Sequence, residues 1–232
     1  MRSSTWRALG NTYVVVELGD ASLDPARASE LAAEADGVVE ILRVAPGTVE
    51  IAIWNPDGSR AELSGNGSRI AAAWLAARSG ERQVDVAVGD RVVHTRSTDS
   101  GEFEQDLGEV VVGAPETVEG VTYVPVSVGN PHAVVLGDPD EIARIGPLLE
   151  THHRFPDRTN VQVARVDAPR VVTARVWERG VGETPSSGTG AVAVAAATHG
   201  VGDVIVHFPG GDLRVRLMAG RATLYGTVER VA

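Results

Sequence analysis

The hydrophobic and polar positions of the chain alternate over many short segments, and this pattern predicts a protein built mainly of β-strands. Valine-rich runs such as "RVVTARVW" (170–177) and "DLRVRL" (212–217) put apolar and polar side chains on opposite faces, as half-buried antiparallel strands do. The segments "VGDR" and "PGGD" predict hairpin turns. The predicted strands are 13–18, 37–44, 48–54, 83–88, 91–96, 122–128, 132–136, 160–166, 170–177, 203–208, 212–217 and 221–228.

Helical patterns are fewer. Four helices are predicted, at 24–35, 65–79, 138–150 and 188–199. The second and the fourth consist almost wholly of small and apolar residues. A helix that is apolar on every side is expected to be buried, so each of these two is predicted to lie inside a sheet.

The starts of these two apolar helices belong to a repeated segment. "WNPDGSRAELSGNG" (54–67) and "WERGVGETPSSGTG" (177–190) align from their tryptophans with a serine and a Gly-x-Gly at the same spacing. The chain is therefore predicted to consist of two related halves. The identities at one common offset are Trp54 with Trp177, Ser64 with Ser187, Gly65 with Gly188 and Gly67 with Gly190.

The repeat and the strand pattern together predict an α/β (α+β) fold with two pseudo-symmetric domains. Each domain is expected to be a curved, mostly antiparallel sheet wrapped around a central apolar helix. The N-terminal domain is predicted at 1–112, with the C-terminal strand 223–232 as a candidate to complete it, and the second domain at 113–222.

Each repeated segment also predicts chemistry. A helix N-terminus presents unpaired backbone N–H groups and the positive end of the helix dipole, so it favours an anion such as a carboxylate. If the two halves face each other, a bound carboxylate is stabilised while its α-carbon loses a proton. Ser64 and Ser187 are then placed on opposite faces of the substrate, which is the geometry of a two-base racemase. Plain helix capping by serine is compatible with this interpretation.

Composition excludes several other functions. The net charge is −10 and no basic block is present, so no nucleic-acid partner is expected. The longest apolar run, "AVAVAAA" (191–197), is too short to span a membrane, and the N-terminus does not read as a signal peptide, so a cytoplasmic location is expected. There is no cysteine and no lysine, which excludes thiol chemistry and a lysine Schiff base with pyridoxal phosphate.

Two weaker motifs do not support a cofactor or a metal. "GTGAVA" (188–193) fits a loose dinucleotide-binding pattern, but no strand directly precedes it and no acidic residue ends the next predicted strand. His152 and His153 are adjacent and have no clear partners in the sequence, so a solvated helix end is expected there. No cofactor and no metal site are predicted.

The ordered motifs of the chain resemble the diaminopimelate epimerase family, pyridoxal-independent enzymes of bacterial lysine and cell-wall synthesis. "LGNTYVVVE" is similar to the family's Leu-Gly-Asn-Asp-Phe start, and "VSVGNPHAVV" to its Gly-Asn-Pro-His motif. The further resembling segments are "ADGVVEI", "NPDGSRAELSGNGSRIAA", "RTNVQVA" and "ERGVGETPSSGTGAVA". The resemblance implies two α/β domains with an active-site cleft between them, an amino-acid substrate, no metal and often a homodimer.

The resemblance also implies a set of site residues. Positions that match those holding the distal amino and carboxylate groups of the substrate are Asn11, Asn55, Asn160, Glu178 and Arg179. Asn130 matches another substrate contact. Gly65 and Asn66, with Gly188 and Thr189, match the two helix starts that hold the reacting carboxylate. An arginine suits a carboxylate, and a glutamate suits an ammonium group.

The sequence departs from the family at its two proton-transfer positions, which are cysteines in the family and Ser64 and Ser187 here. A serine hydroxyl is a much weaker acid than a thiol and reacts only when a base activates it. One explanation is an engineered replacement, although other positions where the family often has cysteine are Ile70 and Val192, not serine. A second is a working isomerase in which His132 assists one serine and Glu178 the other. The third is a related isomerase or elimination enzyme, or a catalytically silent binder of amino acids.

Overall fold

The computed structural model describes residues 1–19 and 21–231, and the chain divides into two compact units. Unit 1 comprises Met1–Asp106 and Tyr225–Ala232, and unit 2 comprises Leu107–Leu224. Ala232, the last residue of the segment 223–232, lies outside the described residues. The domain limits 1–112 and 113–222 stay predictions.

The first part of the chain contains eight strands and two helices. The strands are β1 (Arg2–Ala8), β2 (Asn11–Glu17), β3 (Gly37–Ala45), β4 (Thr48–Trp54), β5 (Arg60–Ala61), β6 (Gln83–Val88), β7 (Arg91–Ser97) and β8 (Phe103–Glu109). The helices are α1 (Pro25–Leu31) and α2 (Gly65–Ser79).

The rest of the chain repeats this order of elements. Its strands are β9 (Val111–Val112), β10 (Glu116–Val118), β11 (Val121–Ser127), β12 (Pro131–Leu136), β13 (Asn160–Ala168), β14 (Val171–Glu178), β15 (Gly182–Thr184), β16 (Gly202–Phe208), β17 (Gly211–Met218), β18 (Arg221–Gly226) and β19 (Glu229–Arg230). The helices are a 3₁₀ turn (Pro139–Glu141), α3 (Ile142–Glu150) and α4 (Gly188–His199).

Strand pairing is mostly antiparallel in both units, as predicted. In unit 1 the pairs β1–β2, β3–β4 and β6–β7 are antiparallel, and β2–β3 and β4–β6 are parallel. In unit 2 the corresponding pairs β11–β12, β13–β14 and β16–β17 are antiparallel, and β12–β13 and β14–β16 are parallel. The same sequence of pairings, with a parallel step before and after the central hairpin, accounts for the internal repeat.

Each unit encloses one apolar helix. Helix α2 packs against β1, β2, β3, β4, β6 and β7, and its residues from Gly65 to Leu75 are buried. Helix α4 packs against β11, β12, β13, β14, β16 and β17, and is buried from Gly188 to Ala196. Alanine and glycine let a helix lie close to the surrounding strands on every side, which explains why these helices have no polar face.

Each predicted helix and strand is present, and the two apolar helices start and end at the predicted residues. The helix predicted at 24–35 is shorter and spans Pro25–Leu31, because the chain leaves the helical conformation at Ala32. The segment 138–150 begins as a 3₁₀ turn before α3, and the strand predicted at 221–228 ends at Gly226. Two long strands were not predicted, β1 ("RSSTWRA") and β8 ("FEQDLGE"). Their residues are mostly polar and show little alternation of apolar with polar positions. They form through pairing with β2 and β7. Within the described ranges, no helix is both long and apolar enough to cross a membrane.

Candidate active site

The starts of the two buried helices have the same local geometry. Ser64 has an extended backbone (φ −131°, ψ 122°), and its Oγ accepts a hydrogen bond of 3.0 Å from the Gly67 N–H. Ser187 (φ −141°, ψ 126°) accepts a bond of 3.2 Å from the Gly190 N–H in the same way. Both serines are therefore N-caps, and the N–H groups of the residues just after them have no acceptor within the helix.

The two capping serines differ in exposure. Ser64 is partly exposed, whereas Ser187 is only 4% exposed. Gly67 and Gly190 each lie against the capping serine of their own helix: an added Cβ atom would be 3.3 Å from Ser64 Cβ and 3.0 Å from Ser187 Cβ, respectively. Because the second glycine of each Gly-x-Gly has no side chain, the first turn of the helix can lie close to the serine oxygen.

Tyr13 is a neighbour of Ser64 that sequence reasoning missed. Its Oη lies 3.1 Å from Ser64 Oγ, within hydrogen-bond distance. Tyr13 and the predicted substrate contact Asn11 are two residues apart on β2 and are both buried, so they share one face of the strand. The spacing of two residues from Asn11 is the sequence signal that could have indicated Tyr13 as a site residue.

The other predicted residues of unit 1 have structural contacts of their own. The Asn55 side chain donates to Ser59 Oγ at 3.0 Å and stabilises the turn that follows β4. Asn66 Oδ1 accepts a 2.5 Å hydrogen bond from the guanidinium of Arg69, one turn further along α2. Arg69 is completely buried and also donates to Gln105 Oε1 at 3.1 Å. Burial lowers the pKa of Arg69 to about 10, and the charge of Tyr13 opposes this shift.

In unit 2 a chain of polar side chains joins three of the predicted residues. His132 Nε2 lies 3.0 Å from Asn130 Oδ1, and Asn130 Nδ2 donates to Thr189 Oγ1 at 3.3 Å. His132 Nδ1 lies 3.2 Å from Oε1 of the buried Gln162, which sequence reasoning missed. The chain connects the turn before β12 to the first turn of α4.

Burial determines the protonation of His132. Burial lowers its pKa to about 4, the hydrogen bond to Gln162 opposes the shift, and the positive charge of Arg179 adds to it. The imidazole is therefore neutral at pH 7. A neutral imidazole has a single N–H, so it can donate to only one of the two amide oxygens that face it, Asn130 Oδ1 or Gln162 Oε1, and it supplies no positive charge.

Asn160, Glu178 and Arg179 meet at the end of β14. Asn160 Nδ2 donates to the Pro131 carbonyl at 2.9 Å, and Asn160 Oδ1 accepts from the Arg179 N–H at 3.0 Å. Glu178 Oε1 accepts a 2.6 Å hydrogen bond from Thr184 Oγ1. The Asn160 amide thus fixes the backbone at Arg179, while Glu178 and Arg179 remain partly exposed.

The proposed assistants of the serines are not in direct contact with Ser187. Within residues 107–224, Ser187 Oγ has a hydrogen bond from the Gly190 N–H but none with His132 or Glu178. Their assistance to a serine stays a prediction. In the part of the chain that the structure describes, no group of three or more histidine, aspartate or glutamate side chains could hold a metal ion.

The chain is similar in sequence to known diaminopimelate epimerases. A family profile described as diaminopimelate epimerase matches residues 124–230. A diaminopimelate epimerase of Desulforudis audaxviator (strain MP104C) is 35% identical over 272 residues, covering 100% of this chain and 97% of the relative.

Solved structures share the fold. A predicted epimerase from Pseudomonas aeruginosa superposes with a TM-score of 0.81 at 19% identity, covering 100% of this chain and 97% of the other. A hydroxyproline epimerase from Agrobacterium vitis, with bound trans-4-hydroxy-L-proline, has a TM-score of 0.76 at 15% identity, covering 99% and 90%. At such identities the likeness establishes the fold alone. The fold class predicted from the sequence is thereby confirmed.

Proposed function

The chain belongs to the diaminopimelate epimerase family, and on that premise we propose that it is an isomerase that inverts the α-carbon of diaminopimelate or a close amino-acid relative. The reaction proceeds by removal and readdition of the α-proton, in lysine and cell-wall biosynthesis. The observation that carries the proposal is the pair of matched helix starts, each with a capping serine at the positive end of its helix dipole.

The proposed chemistry follows from these helix starts. The N–H groups at Gly65 and Asn66, and at Gly188 and Thr189, bind the carboxylate next to the reacting carbon. They stabilise the negative charge that the carboxylate gathers as the proton leaves. No lysine is available to form a Schiff base, so the protein's own dipoles must stabilise this charge.

Ser64 and Ser187 are proposed to move the proton, one from each unit. His132 is proposed to assist one serine and Glu178 the other, with His132 acting as a neutral imidazole. Glu178, Arg179 and the asparagines Asn11, Asn55, Asn130 and Asn160 are proposed to hold the substrate. A carboxylate and a guanidinium on adjacent residues suit an ammonium group and a carboxylate, the groups at the distal end of diaminopimelate. The homodimer and the cytoplasmic location remain predictions.

A second candidate is a one-base isomerase or an elimination enzyme of the same fold. One observation favours it: Ser64 has a phenol within hydrogen-bond distance, whereas Ser187 Oγ, within the described residues, is bonded only to a backbone N–H. A serine hydroxyl needs a base for activation, and in the part of the chain that the structure describes only Ser64 has a side chain at hand that could serve as one. The enzyme would then carry an activated group on one side of the substrate.

The test is incubation of the purified protein with LL-diaminopimelate in D2O, followed by chiral chromatography and mass spectrometry. An epimerase produces the meso isomer with deuterium at the inverted carbon. Deuterium without inversion indicates a one-base enzyme, and release of ammonia indicates elimination. If the amino acid binds, as measured by calorimetry, but neither exchanges nor reacts, the protein is a binder and the proposal is wrong.

Variants connect the reaction to the two helix starts. Ser64→Ala and Ser187→Ala are each expected to lower inversion by about 100-fold or more, since a positioned acid–base group contributes about 10²–10⁴-fold. Ser100→Ala, in an exposed turn, is the matched serine control and should keep full activity. Mass analysis of the native protein determines whether the two serines are its own.

A further inference from the structure

Tyr13 is held in place against Ser64 by its surroundings in unit 1. Its ring is 8% exposed, and its Oη lies 3.1 Å from Ser64 Oγ. On the neighbouring strand, Gly37 is its register partner, and a Cβ atom there would lie 2.7 Å from Tyr13 Cε1. The Tyr13 ring therefore occupies space that a side chain at position 37 would fill.

The same register position in unit 2 is occupied by His132. Tyr13 pairs with Gly37 across β2 and β3, and His132 pairs with Asn160 across β12 and β13. Gly37 and Asn160 are related by the offset that relates Ser64 to Ser187. Each unit therefore places one side chain with an ionisable group at this position. Among the described residues, Tyr13 has a hydrogen bond with the capping serine of its own unit and His132 has none.

A buried cation lies near Tyr13. Arg69 is completely buried, its Nε has no hydrogen-bond partner within the described residues, and its two bonded groups, Asn66 and Gln105, are neutral amides. Residues 1–106 provide no carboxylate in a salt bridge with it. Tyr13 is the group whose charge acts on it. The guanidinium and Tyr13 therefore interact electrostatically, and a positive charge near a tyrosine stabilises its phenolate form relative to its phenol form.

We propose that Tyr13 is the proton relay behind Ser64, an inference that rests on the proposed function. As Ser64 Oγ takes the α-proton, its own hydroxyl proton passes to Tyr13 Oη. The C–H bond breaks and its electron pair stays on the substrate as an enediolate. A new O–H bond forms at Ser64, the old one breaks, and the phenolate becomes a phenol. The reverse transfer delivers a proton to the substrate.

This relay answers the difficulty raised by serine at this position. A thiol ionises near neutral pH and needs no partner, whereas a hydroxyl must pass its proton to a base while it reacts. The motif that the segment 9–13 resembles has phenylalanine at the place of Tyr13, and phenylalanine has no group that could accept a proton. Tyr13 and Ser64 are thus expected to work as a pair.

The test is Tyr13→Phe, which removes one oxygen from the relay. Exchange of the α-proton in D2O is measured with the LL and the meso isomers, together with the kcat and KM of inversion. We expect kcat to fall about 100-fold and KM to change less than about threefold, because only the proton transfer is affected. Tyr123→Phe, which removes the hydroxyl that donates to Glu116, is the matched control and should exchange normally.

A cysteine at position 64 separates a relay from a structural role. In the Ser64→Cys background, Tyr13→Phe is expected to change exchange by less than about threefold, since a thiolate needs no relay. An equally large loss in both backgrounds, or no loss in either, would overturn the relay.

A second readout does not depend on diaminopimelate. Phenylmethanesulfonyl fluoride labels an activated serine, and peptide mass analysis measures the rate of labelling at Ser64. Tyr13→Phe should reduce this rate at least about tenfold, and Tyr123→Phe should not. If the wild type shows no exchange but Ser64 labelling depends on Tyr13, the proposed function fails and the relay stands. Normal exchange and normal labelling in Tyr13→Phe would leave the function intact and refute the relay.

Discussion

Acidification should destabilise unit 2 through one buried side chain, His132. Its pKa is lowered from 6.5 to about 4, mainly by burial, with the charge of Arg179 adding to the effect. The folded protein therefore disfavours the protonated ring more than the unfolded chain does. The corresponding stability is fully present above pH 6.5 and is lost as the pH falls through 6.5 towards 4.

The size of this effect follows from the two pKa values. At full extent, a shift from 6.5 to about 4 corresponds to about 3 kcal/mol. Between pH 7 and pH 5, the unfolded chain takes up most of a proton at this position and the folded chain very little. His132 alone should therefore lower the free energy of unfolding by about 2 kcal/mol over this interval. No discount for solvent screening applies, because the side chain is 2% exposed.

The assay is urea unfolding at pH 7 and at pH 5, followed by tryptophan fluorescence. Trp177 is the single tryptophan of residues 107–224, so a variant that lacks the other three reports on unit 2. His132→Gln keeps hydrogen-bonding groups but cannot titrate, and its loss of stability should be about 2 kcal/mol smaller than that of the wild type. His153→Gln changes an exposed histidine of the same unit and is the control, which should keep the pH dependence of the wild type. Equal pH dependence in wild type and His132→Gln would refute the reasoning.

Two further predictions concern the frame of the site. Gly37→Ala adds a Cβ atom 2.7 Å from Tyr13 Cε1 and should cost about 1–3 kcal/mol in urea unfolding, with slower α-proton exchange. Gly137→Ala, where the nearest atom is 4.0 Å away, is the control, and equal costs would contradict the packing argument. In the wild type, one of the two carboxylate oxygens of Glu150 accepts a hydrogen bond from Trp177 Nε1 at 2.7 Å. Glu150→Gln leaves a single acceptor oxygen. It should destabilise unit 2 by about 2 kcal/mol; an unchanged unfolding midpoint would show that this bond contributes nothing.

Much of the fold follows from the sequence alone, because its determinants are local. Helix α2 begins where Ser64 caps the Gly67 N–H and ends at Gly80, which adopts a left-handed conformation (φ 76°). Side chains and backbone within a few residues decide both ends, so the helix bounds could be predicted. Alternation of apolar and polar residues predicted most strands for the same reason. The repeated segment predicted two similar halves, and the two units show similar pairings.

The tertiary structure decided what depends on distant residues. Strand β1 is polar and becomes a strand through its pairing with β2. The ionisation of His132 depends on burial by surrounding elements, so its position in a motif could not reveal that it is neutral. Tyr13 and Ser64 are 51 residues apart, and their contact exists because β2 and the start of α2 meet in the folded unit. Local sequence therefore determined where the elements begin and which residues are candidates for the site. Only packing decided which side chains form hydrogen bonds at the site and which of them are neutral.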